Sequence, residues 1–120
     1  YVDMIRTKIV KVGEDSYKLS VPTMRTSILV ESQIANLTRG TYGIMSVSTS
    51  KETQDTLTKL RKLARLDALV SKQKLESGEL VDDYAFSFFD LDELEGAALV
   101  DKLSEELDTF IQQFRKSTTE

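Results

Sequence analysis

The sequence predicts an α+β domain that is mainly helical, with an amino-terminal β-hairpin followed by three or four helices. Three observations lead to this class. Short β-rich segments open the chain, its only proline follows them at position 22, and later segments repeat apolar residues at the helical period. A chain of 120 residues is long enough to bury one core of modest size.

Two strands are predicted before the proline. Residues 4–12, from Met4 to Val12, are β-rich with imperfect alternation, and residues 13–16 supply turn formers. Tyr17, Leu19 and Val21 share one parity of the next segment, with polar residues between them. The pattern predicts a hairpin with one buried face.

Pro22 predicts an abrupt change from strand to helix. Proline fixes φ and lacks an amide hydrogen, so a strand can end at Val21 and a helix can start, capped by Thr23. Gly40 is placed to end this helix. The apolar residues of the helix form a wide stripe. They are Met24, Ile28, Leu29, Val30, Ile34 and Leu37.

A loop or short third strand is predicted for residues 42–47, and a long helix follows it. Thr49 and Glu52 have the spacing of a capping box, and the helix is expected to run to about Gln73. Leu66 and Leu69 lie outside the main apolar flank of this helix. The helix is therefore expected to contact neighbours on two sides, the hairpin on one and the terminal helix or another molecule on the other.

The acidic second part of the chain predicts a connector, an aromatic cluster and a terminal helix. Residues 76–83 show little periodicity and separate residues 1–75, the hairpin with its helices, from residues 76–120. Both parts are expected in one domain. A helical turn is predicted near Asp92, with an interruption at Gly96. A sharp apolar stripe then runs to the end of the chain. It consists of Leu99, Val100, Leu103, Leu107, Phe110, Ile111 and Phe114.

The composition argues against catalysis and against a metal or cofactor site. The chain contains no cysteine and no histidine, which removes disulfides, thiolate nucleophiles, imidazole bases and the usual zinc ligands. Adjacent acids such as Asp82 and Asp83 do not by themselves establish convergent geometry. No apolar run approaches the roughly 20 residues that span a bilayer. The sequence predicts a non-enzymatic protein that acts without a membrane and without a cofactor.

Charge is distributed unevenly along the chain. The net charge is −4, but residues 1–60 carry eight basic against six acidic residues and residues 61–120 carry eight against fourteen. Between residues 76 and 108 the only basic residue is Lys102. Such a surface repels phosphate, so nucleic acid is not an expected partner. A solvated face and a docking surface for a basic partner remain alternative interpretations.

Five apolar residues are the candidates for contacts with a partner protein. Phe86, Phe88 and Phe89 form a dense aromatic cluster among acids, where they either anchor the core or present an exposed anchor. Leu66 and Leu69 are apolar residues of the long helix that lie outside its main apolar flank. The hypothesis predicts that replacing Phe88 and Phe89 together by serine abolishes partner binding while the fold survives. For the apolar stripe of the terminal helix, packing inside the domain is expected, and helix-in-groove binding of a partner or self-association is the alternative.

The amino-terminal half resembles the tail assembly chaperones of long-tailed bacteriophages over about residues 9–70. The residues that carry the resemblance are Tyr17, Leu19, Val21, Pro22, Thr23, Arg25, Glu31, Leu37, Thr38, Gly40, Tyr42 and Gly43. The resemblance implies an acidic, mostly helical protein of the bacterial host cytoplasm or the virion, which binds the hydrophobic tape measure protein while the tail tube polymerises. A virion-associated interaction protein of the neck or tail is also compatible. Six of the residues are expected to maintain the elbow between strand and helix: Tyr17, Pro22, Arg25, Gly40, Tyr42 and Gly43.

A second resemblance points to a DNA-binding regulator. Lys11-Val12-Gly13, Ser16, Leu19-Ser20-Val21-Pro22 and Arg25 are similar to the strand, turn and proline-led helix of swapped-hairpin transcription factors of the AbrB type. The basic residues Arg6, Lys8, Lys11, Lys18 and Arg25 would then contact phosphates if they gather on a dimer face. The overall acidity argues against this alternative, and duplex binding across a salt series distinguishes the two.

Overall fold

Four antiparallel strands and four α-helices form the described part of the chain, which confirms the α+β, mainly helical class. The computed structural model describes residues 6–118. In chain order the elements are β1 (Thr7–Val12), β2 (Asp15–Ser20), α1 (Met24–Leu37), α2 (Tyr42–Ser46), α3 (Lys51–Leu69), β3 (Val70–Glu76), β4 (Glu79–Asp82), a 3-10 turn (Phe88–Asp90) and α4 (Glu93–Thr118).

The strands form a single sheet in the order β1-β2-β3-β4. The β1–β2 hairpin was predicted and is confirmed. Gly13 opens its two-residue turn at φ +64°, the left-handed conformation that the first position of a type II′ turn requires. Met4 and Ile5, predicted to belong to the first strand, lie outside the described residues. The pairs Tyr17↔Lys72 and Leu19↔Val70 join β2 to β3.

Helix α1 begins and ends where the sequence predicts. The Thr23 hydroxyl accepts from the Thr26 amide at 3.2 Å, and the Thr26 hydroxyl accepts from the Thr23 amide at 2.8 Å, so two orphan donors are satisfied reciprocally. The Gly40 amide donates to the Ala35 carbonyl at 3.1 Å, with Gly40 at φ +80°. This positive φ closes the helix at a residue without a Cβ.

Two predictions at the centre of the chain were wrong. Residues 42–46 form the short helix α2, where a loop or strand was predicted. Helix α3 is capped by Ser50, whose hydroxyl accepts from the Thr53 amide at 3.4 Å, and not by Thr49. The cap lies one residue further along because Ser50 has the extended backbone of a cap residue, with φ −67° and ψ 126°.

The predicted connector, residues 76–83, contains the turn and the second strand of a β-hairpin. Helix α3 ends at Leu69 and not near Gln73, because Val70 turns to an extended conformation and pairs with Leu19. Strands β3 and β4 follow at once, with Leu75 opposite Leu80. Ser77 and Gly78 connect them with φ of +55° and +83°, the pattern of a type I′ turn, whose twist matches that of the strands. The sheet therefore has twice the strands of the predicted hairpin.

Helix α4 runs without interruption through Gly96. Asp92 caps it by accepting from the amides of Leu94 and Glu95 at 3.0 and 3.1 Å. A Cβ at Gly96 would lie 2.8 Å from the Leu91 Cβ, so the glycine allows the preceding loop to lie against the first turn of the helix. The glycine serves this close approach and does not break the helix.

One core joins the sheet, the second half of α3, the 3-10 turn and α4. Its buried members are Tyr17, Leu19, Leu66, Leu69, Val70, Phe88, Val100, Leu103, Leu107, Phe110 and Ile111. The stripe predicted for the terminal helix supplies five of them. Ile34, Leu57 and Ala64 are buried outside this core, where α1 lies against α3. Opposite faces of α3 thus contact different neighbours.

Candidate partner-binding surfaces

Leu66 and Leu69 belong to the core and are inaccessible to a partner protein. Their exposed fractions are 1% and 3%, and both lie in the cluster that includes Leu19 and Leu103. The hypothesis that they contact a partner is wrong for the folded chain. Helix α3 faces the sheet and α4 on one side and α1 on the other, so the two leucines outside the main flank fill the central core.

Phe88 is likewise a core residue, which overturns its assignment to partner binding. Its side chain is 2% exposed and its ring lies 5.0 Å from that of Phe86 in an edge-to-face contact. The Asp67 carboxylate accepts from the Phe88 amide at 3.0 Å and from the Ser87 hydroxyl at 3.2 Å. One acid on α3 therefore holds the aromatic segment over the core.

Phe86 and Phe89 remain partly accessible. Phe86 packs against the core, and the Lys72 ammonium lies 5.0 Å above its ring, within cation–π range. Phe89 lines a surface groove between α3 and α4. Of the five predicted contact residues, these two retain surface that another molecule can reach.

The exposed apolar side chains concentrate on α1 and α2. We define the α1–α2 surface by six of them: Met24, Ile28, Leu29, Leu37, Ile44 and Val47. Met24 is 87% exposed, Ile44 76% and Val47 78%. Between residues 24 and 47 the only charged residues are Arg25, Glu31 and Arg39. These side chains point to more than one side of α1, since Ile28 and Leu37 are nine residues apart and therefore about 180° apart around the helix. A segment that exposes so many apolar side chains and carries so little charge has the composition of an interface.

Polar contacts hold α2 in place while its apolar residues face outward. The Gln54 amide nitrogen donates to the Met45 carbonyl at 3.1 Å and to the Ser48 carbonyl at 2.8 Å. The Arg61 guanidinium lies 5.1 Å from the centre of the Tyr42 ring. Because these contacts fix α2 without burying Ile44 or Val47, the two side chains stay available for contact.

The predicted elbow residues occupy different environments. Tyr17 is buried in the core, whereas Pro22, Arg25 and Gly40 are exposed and Tyr42 is half-buried. Burial, and to a lesser degree the negative charge of Asp15, raises the pKa of the Tyr17 phenol. Tyr17 therefore supports the sheet, and Pro22 lies in the exposed segment that leads into α1.

A groove of about 650 Å³ lies between the first half of α3 and the first turns of α4. Its apolar lining comes from Leu63, Phe88, Phe89, Leu91, Ala97 and Val100, so the groove reaches down to the core ring of Phe88. Two ion pairs link the helices here, with Lys59 Nζ 3.6 Å from Glu93 Oε1 and Lys62 Nζ 3.0 Å from Asp101 Oδ1. The groove is apolar at its base and charged at its rim.

A three-residue polar cluster lies on the sheet where β2, β3 and β4 meet. Asp82 Oδ1 accepts from Gln73 Nε2 at 2.8 Å and lies 3.0 Å from Lys18 Nζ. The hydrogen bond from Gln73 and the contact with Lys18 lower the pKa of the Asp82 carboxyl. Lys18, one of the residues proposed for phosphate contact, is thus paired with an acid of the same chain.

The described residues hold no grouping of three His, Cys, Asp or Glu side chains that is placed to bind a metal ion. Within residues 6–118, no helix combines the length and apolar character needed to cross a bilayer. Comparisons with protein-family models, curated proteins and solved structures give no match. Function is therefore inferred from the surfaces of the molecule.

Sequence reasoning missed the α1–α2 surface. It found the apolar residues of α1, but periodicity does not reveal which part of a wide stripe a small domain covers. The signal that was available is the scarcity of charge between residues 24 and 47, in a chain where charged residues make up 30%.

Proposed function

We propose that this chain is a non-enzymatic tail assembly chaperone, or virion-associated interaction protein, of a tailed bacteriophage. Its partner is a tail protein, either the tape measure or the tube protein, and the α1–α2 surface makes the contact. The observation that supports this most directly is the exposure of Met24, Ile28, Leu29, Leu37, Ile44 and Val47. The resemblance of residues 9–70 to such chaperones supplies the partner class.

The α1–α2 surface has a size and chemistry suited to a hydrophobic segment. A standard protein interface buries roughly 800 Å² on each partner. Six aliphatic side chains, each at least half exposed, present apolar area on more than one side of α1 and on α2, so a partner segment that contacts all of them extends around the helix. Covering such area is the main driving force for association, since few charges must be desolvated with it.

The test is a complex between the recombinant chain and the tape measure protein encoded in the same genome. Light scattering after size-exclusion chromatography measures the complex, and the soluble fraction of tape measure protein measures chaperone activity. We expect Ile28→Glu to weaken binding by at least about tenfold, because a carboxylate would have to be desolvated at the contact. Leu75→Glu is the matched control, since Leu75 is an exposed leucine of the β3–β4 hairpin.

Two results would overturn the proposal. One is a tape measure protein that stays insoluble and unbound in the presence of the chain. The other is steeply salt-dependent binding of duplex DNA at submicromolar concentration, which would favour the swapped-hairpin regulator. If Ile28→Glu and Leu75→Glu bind equally well, the partner-binding role survives but the α1–α2 surface is excluded as its site.

A further inference from the structure

The groove between α3 and α4 has the dimensions of a binding site. Its volume of about 650 Å³ lies in the roughly 300–1,000 Å³ range of ligand sites. Along the two helices it extends from Asp55 to Leu63 and from Asp92 to Asp101. At the rise of about 1.5 Å per residue, this length accommodates about two turns of a helical peptide.

The rim of the groove has an excess of negative charge. Lys59 and Lys62 are engaged by Glu93 and Asp101 from the opposite helix. Asp55 and Asp92 also lie on the rim. Asp92 accepts from the backbone amides of Leu94 and Glu95 and pairs with neither lysine, so the rim carries four carboxylates and two ammonium groups.

We infer that this groove docks a short protein segment that carries a bulky apolar side chain flanked by Lys or Arg. The apolar base formed by Leu63, Phe89 and Leu91 takes the apolar side chain, and the acidic rim attracts the flanking cations. Acidic segments are repelled by the same rim. The site is distinct from the α1–α2 surface and does not depend on the function proposed for that surface.

Two synthetic 12-residue peptides test the charge preference. Both carry leucines at helical spacing, and the remaining positions are lysine in one and glutamate in the other. Fluorescence anisotropy with the full chain should show the leucine–lysine peptide binding at least about tenfold more tightly. Its affinity should fall as salt is raised, because the rim charges are screened.

Matched variants separate the groove from general attraction to an acidic protein. Ala97→Trp fills the groove, whereas Ala98→Trp places the same side chain on an exposed, non-lining position of α4. We expect about a tenfold loss of leucine–lysine affinity for the first variant and no loss for the second. Asp55→Asn should lower affinity about two- to fivefold, and Glu105→Gln, on the exposed surface of α4, should not.

Circular dichroism shows whether each variant is folded, and chemical shift changes in nitrogen-15 NMR spectra locate the bound peptide on the wild-type chain. The inference is overturned if the leucine–lysine peptide does not bind, if the leucine–glutamate peptide binds equally well, or if the shifts lie outside the groove. It is also overturned if Ala97→Trp and Ala98→Trp bind alike. The Ile28→Glu variant changes the α1–α2 surface and not the groove, so it should bind the leucine–lysine peptide with wild-type affinity. Loss of peptide binding therefore tests the groove, and loss of tail-protein binding tests the proposed chaperone role.

Discussion

At the scale of single residues, Asp67 connects the long helix to the aromatic segment. Its carboxylate accepts from the Phe88 amide and the Ser87 hydroxyl. Hydrogen bonds to charged groups contribute about 1.5–3 kcal/mol, and the exposure of Asp67 reduces this. We predict that Asp67→Ala lowers the free energy of unfolding by about 1–2 kcal/mol in urea titrations. Glu105→Ala, an exposed acid on α4, should change it by less than about 0.5 kcal/mol. Equal midpoints for both variants would contradict this role of Asp67.

The neighbouring phenylalanines should differ sharply in their effect on stability. Phe88 is 2% exposed, so Phe88→Ala creates a cavity and should cost about 3–5 kcal/mol. Phe89 is half-buried at the groove, and Phe89→Ala should cost less than half as much. Thermal unfolding followed by circular dichroism measures both. The double serine replacement at these positions should therefore unfold the chain, contrary to the expectation drawn from sequence, and equal costs would show that Phe88 is not a core residue.

Asp82 should make stability depend on pH in the acid range. The hydrogen bond from Gln73 and the nearby Lys18 lower the pKa of its carboxyl in the folded state. A group with a depressed folded pKa contributes stability above its unfolded pKa, about 3.9 for Asp, and loses it as the pH falls through the folded value. Urea midpoints between pH 5 and pH 2 should fall less steeply for Asp82→Asn than for wild type. Parallel curves would show that Asp82 has no part in the acid transition.

At the scale of the elements, glycine substitutions test how the loop before α4 is packed. An added Cβ at Gly96 meets the Leu91 Cβ at 2.8 Å, whereas at Gly43 in α2 nothing lies within 4 Å. We predict that Gly96→Ala lowers the free energy of unfolding by about 1–3 kcal/mol through this overlap. Gly43→Ala should leave it unchanged or raise it by up to about 1 kcal/mol, since alanine favours helix. A stabilising Gly96→Ala, measured by the same urea titration, would show that the loop moves aside freely.

The accuracy of the sequence predictions also varied by element, for identifiable reasons. The β1–β2 hairpin, the Pro22 elbow and the part of α4 after Gly96 were predictable because alternation, a single proline and a narrow apolar stripe are local signals, whereas the interruption predicted at Gly96 was wrong. The β3–β4 hairpin was missed although Ser77-Gly78 is a turn signal, because lysines and glutamates interrupt its apolar alternation. Its β3 strand is specified by pairing with Leu19, a contact distant in sequence. For the same reason Leu66 and Leu69 could not be assigned to the core from the period of α3 alone.

At the scale of the whole molecule, hydrophobic burial is unequal between two regions. The sheet, α4 and the second half of α3 share the main core, to which α4 alone contributes Val100, Leu103, Leu107, Phe110 and Ile111. Residues 24–47 bury only Ile34 and Thr38. The region around α4 therefore buries much more apolar side chain than the charge-poor α1–α2 surface does.

This inequality predicts that α1 and α2 open without global unfolding. Local opening costs less free energy where few apolar contacts are broken, so backbone amides there should exchange with solvent faster than those of β2 and α4. In native-state hydrogen exchange we expect the slowest amides of α1 to exchange at least about tenfold faster than the slowest amides of α4. This ratio corresponds to a difference of about 1.4 kcal/mol in the free energy of opening. Binding of a tail protein at the α1–α2 surface should slow α1 preferentially, because the contact adds the apolar burial that the free chain lacks. Equal exchange rates in α1 and α4 would mean that the burial of Ile34 is enough to make the two regions unfold as one cooperative unit.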